Sequence, residues 1–183
     1  MNWPNGLSIL RVALIPVLLV FLYTDTPAGQ TLALIVFIIA AFTDFLDGYL
    51  ARKNQIVTNF GKFLDPVADK LLVLSAMVGL CGLNRFPAWA CIVILFREIA
   101  VDGLRMIAIE QGRVIAAGNL GKIKTVVQMI TVVAYLLNNW PFGAFPMNQI
   151  LLAIAIAMTI WSGVDYFIKN RAVLNMSKTS VKS

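Results

Sequence analysis

Histidine is absent from the sequence, and cysteine occurs only at Cys81 and Cys91, with no C-x-x-C pair. That excludes a zinc site built from thiolates and imidazoles, and it excludes a disulfide framework; both thiols read as packing in or near apolar segments. Charge is scarce as well. Only 13% of the 183 residues are charged against 60% hydrophobic, and the mean hydropathy is +0.83. A soluble domain carries roughly twice that share of charge, so an integral membrane protein is expected. No repeat is apparent, and no basic run is interleaved with aromatics. The net charge of +6 therefore reads as topogenic charge and attraction to anionic headgroups, not as a nucleic-acid interface. The apolar run after Arg11 continues through Tyr23 with no small-x-small cleavage pattern, so it is expected to stay as the first span.

What is present is a series of apolar segments, and the expected fold class is an all-α integral membrane protein with six transmembrane helices. The length accommodates about six spans of roughly 20 residues and leaves no room for a separate soluble domain, so residues 1–183 form one membrane domain. Span one runs from Ile9 to Tyr23 behind a polar entry of Pro4, Asn5, Gly6 and Ser8. Span two starts at Thr31 and carries on through Asp47 and Ala51, ahead of a polar loop at Arg52–Gln55. The apolar run Leu71–Leu83 is too short to cross by itself, whereas Phe63–Leu83 gives about 31 Å, so span three includes Asp65 and Asp69. Pro66 lies in its first turn or bends it. Span four, Ala88 to about Glu110, carries Arg97, Glu98, Asp102 and Arg105. A Gly-rich basic loop over 111–124 precedes span five, Thr125 to about Leu137. Span six covers about Gln149 to Ile168, and the polar tail 169–183 is expected to fray.

Alternate connections differ sharply in basic residues. One side collects Arg52, Lys53, Lys62, Lys70, Arg113, Lys122, Lys124, Lys169, Arg171, Lys178 and Lys182, which is eleven, and the other collects Arg85 alone. The rich side faces the cytoplasm, and an even number of spans puts both termini there.

Four carboxylates stand out in Asp44-x-x-Asp47-Gly48-x-x-Ala51-Arg52 and, eight residues later, Gly61-x-x-x-Asp65-x-x-x-Asp69. On helices, Asp44, Asp47, Gly48 and Ala51 share one stripe and Gly61, Asp65 and Asp69 share another. Small residues beside the carboxylates suit a bulky anion brought close to the backbone. Four aspartates close together repel one another unless positive charge is supplied, and two hard divalent cations, Mg²⁺ or Mn²⁺, would supply it through oxygen ligands. Such a pair is suited to phosphoryl chemistry. The same aspartates could instead pair with Arg52, Lys53, Lys62 and Lys70 as a structural cluster, or mark an ion pathway. Against a pathway, the acidic groups gather at one membrane face and the outer halves of spans two and three are aliphatic. A prenyltransferase would want a second aspartate-rich motif, and nothing like one follows Asp69.

The stretch resembles the signature of the CDP-alcohol phosphotransferase family at all eight defining positions: Asp44, Asp47, Gly48, Ala51, Arg52, Gly61, Asp65 and Asp69. Pro4-Asn5-x-x-Ser8-x-x-Arg11, Phe96-Arg97-Glu98-Ile99 and Gly121-Lys122-x-Lys124-Thr125 bring it nearest to the bacterial members that use glycerol 3-phosphate. The resemblance implies a homodimeric enzyme of the bacterial cell membrane with its site open to the cytoplasm. It implies transfer of the phosphatidyl group from CDP-diacylglycerol to sn-glycerol 3-phosphate, with inositol phosphate or serine as alternative acceptors. By the same resemblance Asp44, Asp47 and Asp65 are the principal metal ligands, Asp69 contributes at the second metal and acts as general base, and Gly48, Ala51, Arg52 and Gly61 line the CDP site. The acceptor's own phosphate calls for a basic pocket, for which Arg105, Lys122 and Lys124 are the candidates, followed by Arg11 and Arg113. Lys122 and Lys124 also fit as ordinary cytoplasmic-side charge. Arg97 and Glu98 read as a structural pair or as partners of Asp102, Asn5 and Ser8 as caps or nucleotide contacts, and Asp165 as a partner of a tail cation.

Overall fold

The structure is a computed structural model that describes residues 3–24, 26–54, 59–113, 115, 118–138, 140, 143 and 145–176, with the side chains of residues 3–5, 7–8, 44–54, 59–66, 69 and 174–176 outside that description. Among the described residues there are seven helices and no strand: α1 (Trp3–Tyr23), α2 (Pro27–Asn54), α3 (Asn59–Gly82), α4 (Ala88–Glu110), α5 (Asn119–Leu136), α6 (Met147–Lys169) and α7 (Arg171–Met176). The chain divides into two compact units, one comprising residues 1–88 and 132–148, the other 89–131 and 149–183.

In the first unit α1 packs on both α2 and α3, and α2 packs on α3. The core consists of Leu18 and Leu22 from α1, Ala33, Phe37 and Ala40 from α2, and Leu72, Ala76, Met77 and Leu80 from α3, spaced at three and four residues as a packed helical stripe requires. The α1–α2 turn is tight. Thr26 acts as N-cap of α2, its hydroxyl accepting from the Gly29 amide at 3.0 Å, with Pro27 in the first helical position, where its missing N–H is harmless. At the end of α3 the Arg85 amide reaches the Leu80 carbonyl and the Asn84 amide reaches Cys81, each at 2.9 Å, with Asn84 at φ 56°. This Schellman closure turns the chain so that Phe86 packs edge-on against Tyr135, with ring centroids 4.8 Å apart.

In the second unit α4 ends in the same closure: Arg113 bonds to Ala108 and Gly112 to Ile109, each at 2.9 Å, and Gly112 supplies the positive φ of 70°. Gln128 of α5 donates to the Thr159 hydroxyl of α6 at 3.1 Å, and the Thr131 hydroxyl donates to the Leu151 carbonyl at 3.2 Å. A polar seam thus joins two otherwise apolar helices, as is common where helices meet in hydrocarbon.

Several element ends differ from the sequence expectation. α1 begins at Trp3, so Asn5 and Ser8 lie within its first two turns instead of ahead of it. α2 runs through Arg52, Lys53 and Asn54, and α3 begins at Asn59, which places Pro66 well past the first turn. α5 begins at Asn119, so Lys122 and Lys124 are helical and not in a loop. The tail is not frayed over Arg171–Met176, because Val173 is buried in a cluster with Val101, Leu104, Ala108 and Tyr166 and holds α7 in place. The remainder of the tail, 177–183, lies outside the described residues.

The described surface is inverted relative to a water-soluble protein. Ile35, Ile38, Ile39 and Phe42 form an exposed apolar stripe on α2, and Ile92, Phe96 and Ile99 form one on α4, while Arg11, Glu98, Lys124, Gln128 and Thr159 are buried. Among the described residues one helix, Met147–Lys169, is by itself long and apolar enough to cross a membrane; Ile9–Tyr23, Pro27–Thr43 and Lys70–Gly82 are shorter apolar stretches.

Candidate functional site

The signature positions fall on two consecutive helices of the first unit. Asp44, Asp47, Gly48, Ala51 and Arg52 are on the last part of α2, and Gly61, Asp65 and Asp69 are on the first part of α3. From Asp44 to Asn54 and from Asn59 to Asp69 is ten residues in each helix, about 15 Å of rise from the 55–58 connection. Asp47 and Asp65 are nearer that connection, about 10 Å in each case. The two stripes thus lie at similar distances along their helices from the 55–58 connection, and α2 and α3 are in contact. The side chains of all eight lie outside the described residues, so the structure gives their placement along the helices and the sequence gives their chemistry.

Arg11 stands next to this stretch. Its guanidinium is fully buried at 0% exposure, and its Nε donates to the Ala40 carbonyl at 3.4 Å, one turn ahead of Asp44 on α2.

The other candidates belong to the second unit, where Lys124 and Arg105 each join a group of polar side chains. In the first, the buried Glu98 carboxylate accepts from Arg97 Nη1 at 3.3 Å and from the Lys124 ammonium, so one oxygen of α4 gathers a cation from its own helix and one from α5. Arg97 and Glu98 are paired, as expected; the third member, Lys124, was not foreseen as their partner. In the second group, Arg105 Nε donates to the Tyr166 hydroxyl at 3.1 Å, its guanidinium carbon lies 5.5 Å from the Tyr166 ring centre, and Nη1 is 3.9 Å from Asp102. Lys122 and Arg113 are exposed. Asp165 pairs with Lys169 at 2.8 Å, the tail cation anticipated for it. Sequence reasoning missed Tyr166, Gln128 and Thr159. The available signal was a polar group at helical spacing inside an apolar span, where it must find a partner.

A sequence profile of the CDP-alcohol phosphatidyltransferase family matches residues 1–161. The chain belongs to that family. A protein of Bacillus subtilis is 45% identical, covering 96% of this chain and 98% of the relative. A protein of Rickettsia bellii is 38% identical over 91% of this chain and 93% of its own length. One of Haemophilus influenzae is 39% identical over 90% and 91% respectively. All three are named CDP-diacylglycerol--glycerol-3-phosphate 3-phosphatidyltransferase.

For a CDP-alcohol phosphatidyltransferase, the donor set on α2 and α3 is chemically apt for divalent cations. It offers only hard carboxylate oxygens, repeated one helical turn apart on two helices in mutual contact, and the chain contains no histidine to favour a softer metal. Asp44, Asp47, Asp65 and Asp69 are the residues that would hold a pair of such ions.

Proposed function

We propose that this chain transfers the phosphatidyl group of CDP-diacylglycerol to sn-glycerol 3-phosphate, forming phosphatidylglycerophosphate and CMP. The observation that carries the proposal is the complete eight-residue signature on the paired helices α2 and α3. Relatives that bear the corresponding enzyme name and span nearly the whole chain support it. Inositol phosphate and serine are the competing acceptors within the family.

Asp44, Asp47, Asp65 and Asp69 would hold two divalent cations, Mg²⁺ or Mn²⁺. When bound, such ions neutralise negative charge on the diphosphate and on the departing CMP. Gly48, Ala51 and Gly61 line the cytidine diphosphate site with small residues, and Arg52 supplies a positive charge to it. Asp69 takes the proton from the 1-hydroxyl of the acceptor as that oxygen bonds to the lipid-bearing phosphorus. The bond from that phosphorus to the CMP oxygen breaks, and CMP leaves with the electron pair. Arg105 leads the candidates for the acceptor's phosphate, followed by Lys122, Lys124, Arg11 and Arg113. Lys124 and Arg11 are already engaged by Glu98 and by the Ala40 carbonyl, so they contribute through charge at shorter reach than a free side chain would. The membrane arrangement we favour has α1 to α6 as six spans, both termini cytoplasmic, in a bacterial cell membrane and as a homodimer. The exposed apolar stripes on α2 and α4 support residence in lipid.

The test is CMP release by the purified protein in detergent with CDP-diacylglycerol, offered glycerol 3-phosphate, inositol phosphate or serine in turn. Release is expected with glycerol 3-phosphate alone. It should stop when EDTA removes divalent ions and return with Mg²⁺ or Mn²⁺. Release with another acceptor and not with glycerol 3-phosphate would reassign the substrate, and no release with any would overturn the proposal.

A further inference from the structure

A guanidinium on a long side chain binds phosphate well only when its fork is held in place, because every rotor still free must be frozen when the ligand arrives. Arg105 is held on two sides. Its Nε is spent on the Tyr166 hydroxyl at 3.1 Å and its Nη1 lies 3.9 Å from Asp102, one turn earlier on α4. The Tyr166 ring also lies against the guanidinium, 5.5 Å from centre to carbon. Among the described residues Nη2 has no partner, and the side chain stays 32% exposed. Tyr166 is itself immobilised. It is buried on α6 among Val101, Leu104 and Ala108 of α4 and Val173 of α7, and the Val173 carbonyl accepts from Gln111 Nε2 at 3.0 Å, which ties α7 to the end of α4.

We infer that Tyr166 is a positioning residue that orients Arg105 for the phosphate of the acceptor, an inference that rests on the role of Arg105 proposed above. The hydroxyl fixes Nε, the ring face carries the cation, and the buried cluster keeps both from moving. An anion is then met by a fork whose rotational freedom has already been lost during folding. The acceptor's phosphate takes no part in the bonds made or broken and is held alike before and during the reaction, so the benefit is uniform binding and falls on KM more than on kcat.

Tyr166→Phe removes the hydroxyl and keeps the ring in its apolar cluster, so the fold should survive. Four proteins, wild type, Tyr166→Phe, Arg105→Ala and the double variant, are assayed for CMP release while glycerol 3-phosphate and CDP-diacylglycerol are varied separately. Tyr166→Phe should raise KM for glycerol 3-phosphate about tenfold, the amount expected for a lost hydrogen bond to a charged group. It should leave kcat within about twofold and KM for CDP-diacylglycerol unchanged, as loss of uniform binding requires. The double variant should be no worse than Arg105→Ala alone, because the hydroxyl acts only through the arginine. An unchanged KM for glycerol 3-phosphate in Tyr166→Phe, multiplying penalties in the double variant, or a joint shift of kcat and both KM values would overturn the assignment. A wild type that does not use glycerol 3-phosphate would remove the proposed reaction itself, an outcome distinct from a wild type that does use it and a Tyr166→Phe variant that matches it.

Discussion

An aspartate that takes a proton from an alcohol must be ionised before the reaction and close to the positive charge that keeps it so, and Asp69 is the signature position to which both conditions are assigned. Asp69→Asn keeps size and polarity but cannot accept that proton. CMP release should fall about 10²- to 10⁴-fold in kcat, with KM for CDP-diacylglycerol changed far less; retained turnover would remove Asp69 from the role of base. Glu98 makes a different claim, on stability. Its carboxylate, 7% exposed, receives both Arg97 and Lys124, the latter 3% exposed. Stripping one member from a buried ion pair costs about 3–5 kcal/mol, because the remaining charge has lost its water and its partner. Glu98→Ala should therefore lower the thermal unfolding midpoint in detergent markedly, and Glu98→Leu combined with Lys124→Met should recover only part of the loss, because Arg97 still lacks its partner. Equal midpoints for Glu98→Ala and wild type would show that the pair bears no weight. These residues also mark the limit of what could be read from sequence. The Arg97–Glu98 pairing was legible because neighbours of opposite charge in an apolar span must compensate each other. Lys124, 26 positions from Glu98, was not, because nothing in local spacing says which turn of α5 meets which turn of α4.

Helix ends were legible where backbone chemistry punctuates the chain and illegible where only hydropathy guided the eye. α4 runs from Ala88 to Glu110 as expected, with Pro87 just before it and Gly112 in the left-handed conformation just after it. α5 starts six residues before the expected Thr125, because apolar content finds the lipid-facing part of a helix while hydrogen bonds set its ends. The Gly121 and Lys122 amides already bond to the Gly118 carbonyl at 3.0 and 3.3 Å, so the basic segment joins the helix although it looks like a loop. The α1–α2 turn offers the sharpest test at this scale. A Cβ on Gly29 would approach the Phe21 carbonyl oxygen to 2.6 Å and collide with the Thr24 hydroxyl, and backbone cannot give way as a side-chain tip can. Gly29→Ala should cost about 1–3 kcal/mol by forcing the turn apart. Circular dichroism melts in micelles would read the loss, and a melt indistinguishable from wild type would contradict the close approach.

Across the whole molecule, the distribution of charge and apolarity bears on the membrane arrangement proposed above. Exposed Ile, Phe and Trp side chains on α2, α4 and α6 would be a liability in water, whereas in hydrocarbon they are the expected contact surface. In the six-span arrangement proposed above, eleven of the basic residues in the sequence would fall on one side and Arg85 alone on the other, the excess marking the side where synthesis takes place. The asymmetry is a reading of the sequence alone, since it needs only the order of segments and the identity of Lys and Arg. Seeing that the deeper basic residues are committed to Glu98 and Tyr166 required the structure. In the proposed six-span arrangement, the exposed Trp140, between α5 and α6, would be outside the cell and the exposed Arg171 on α7 inside. The two native thiols, Cys81 and Cys91, are half-buried and can be replaced by serine to give a silent background. In that background, Trp140→Cys should react with a membrane-impermeant maleimide on intact cells, and Arg171→Cys should react only after the membrane is opened. Labelling of both from the same side would break the parity of six spans. Labelling in the reverse order would turn the aspartate-bearing ends of α2 and α3 away from the cytoplasm, where glycerol 3-phosphate could not reach them.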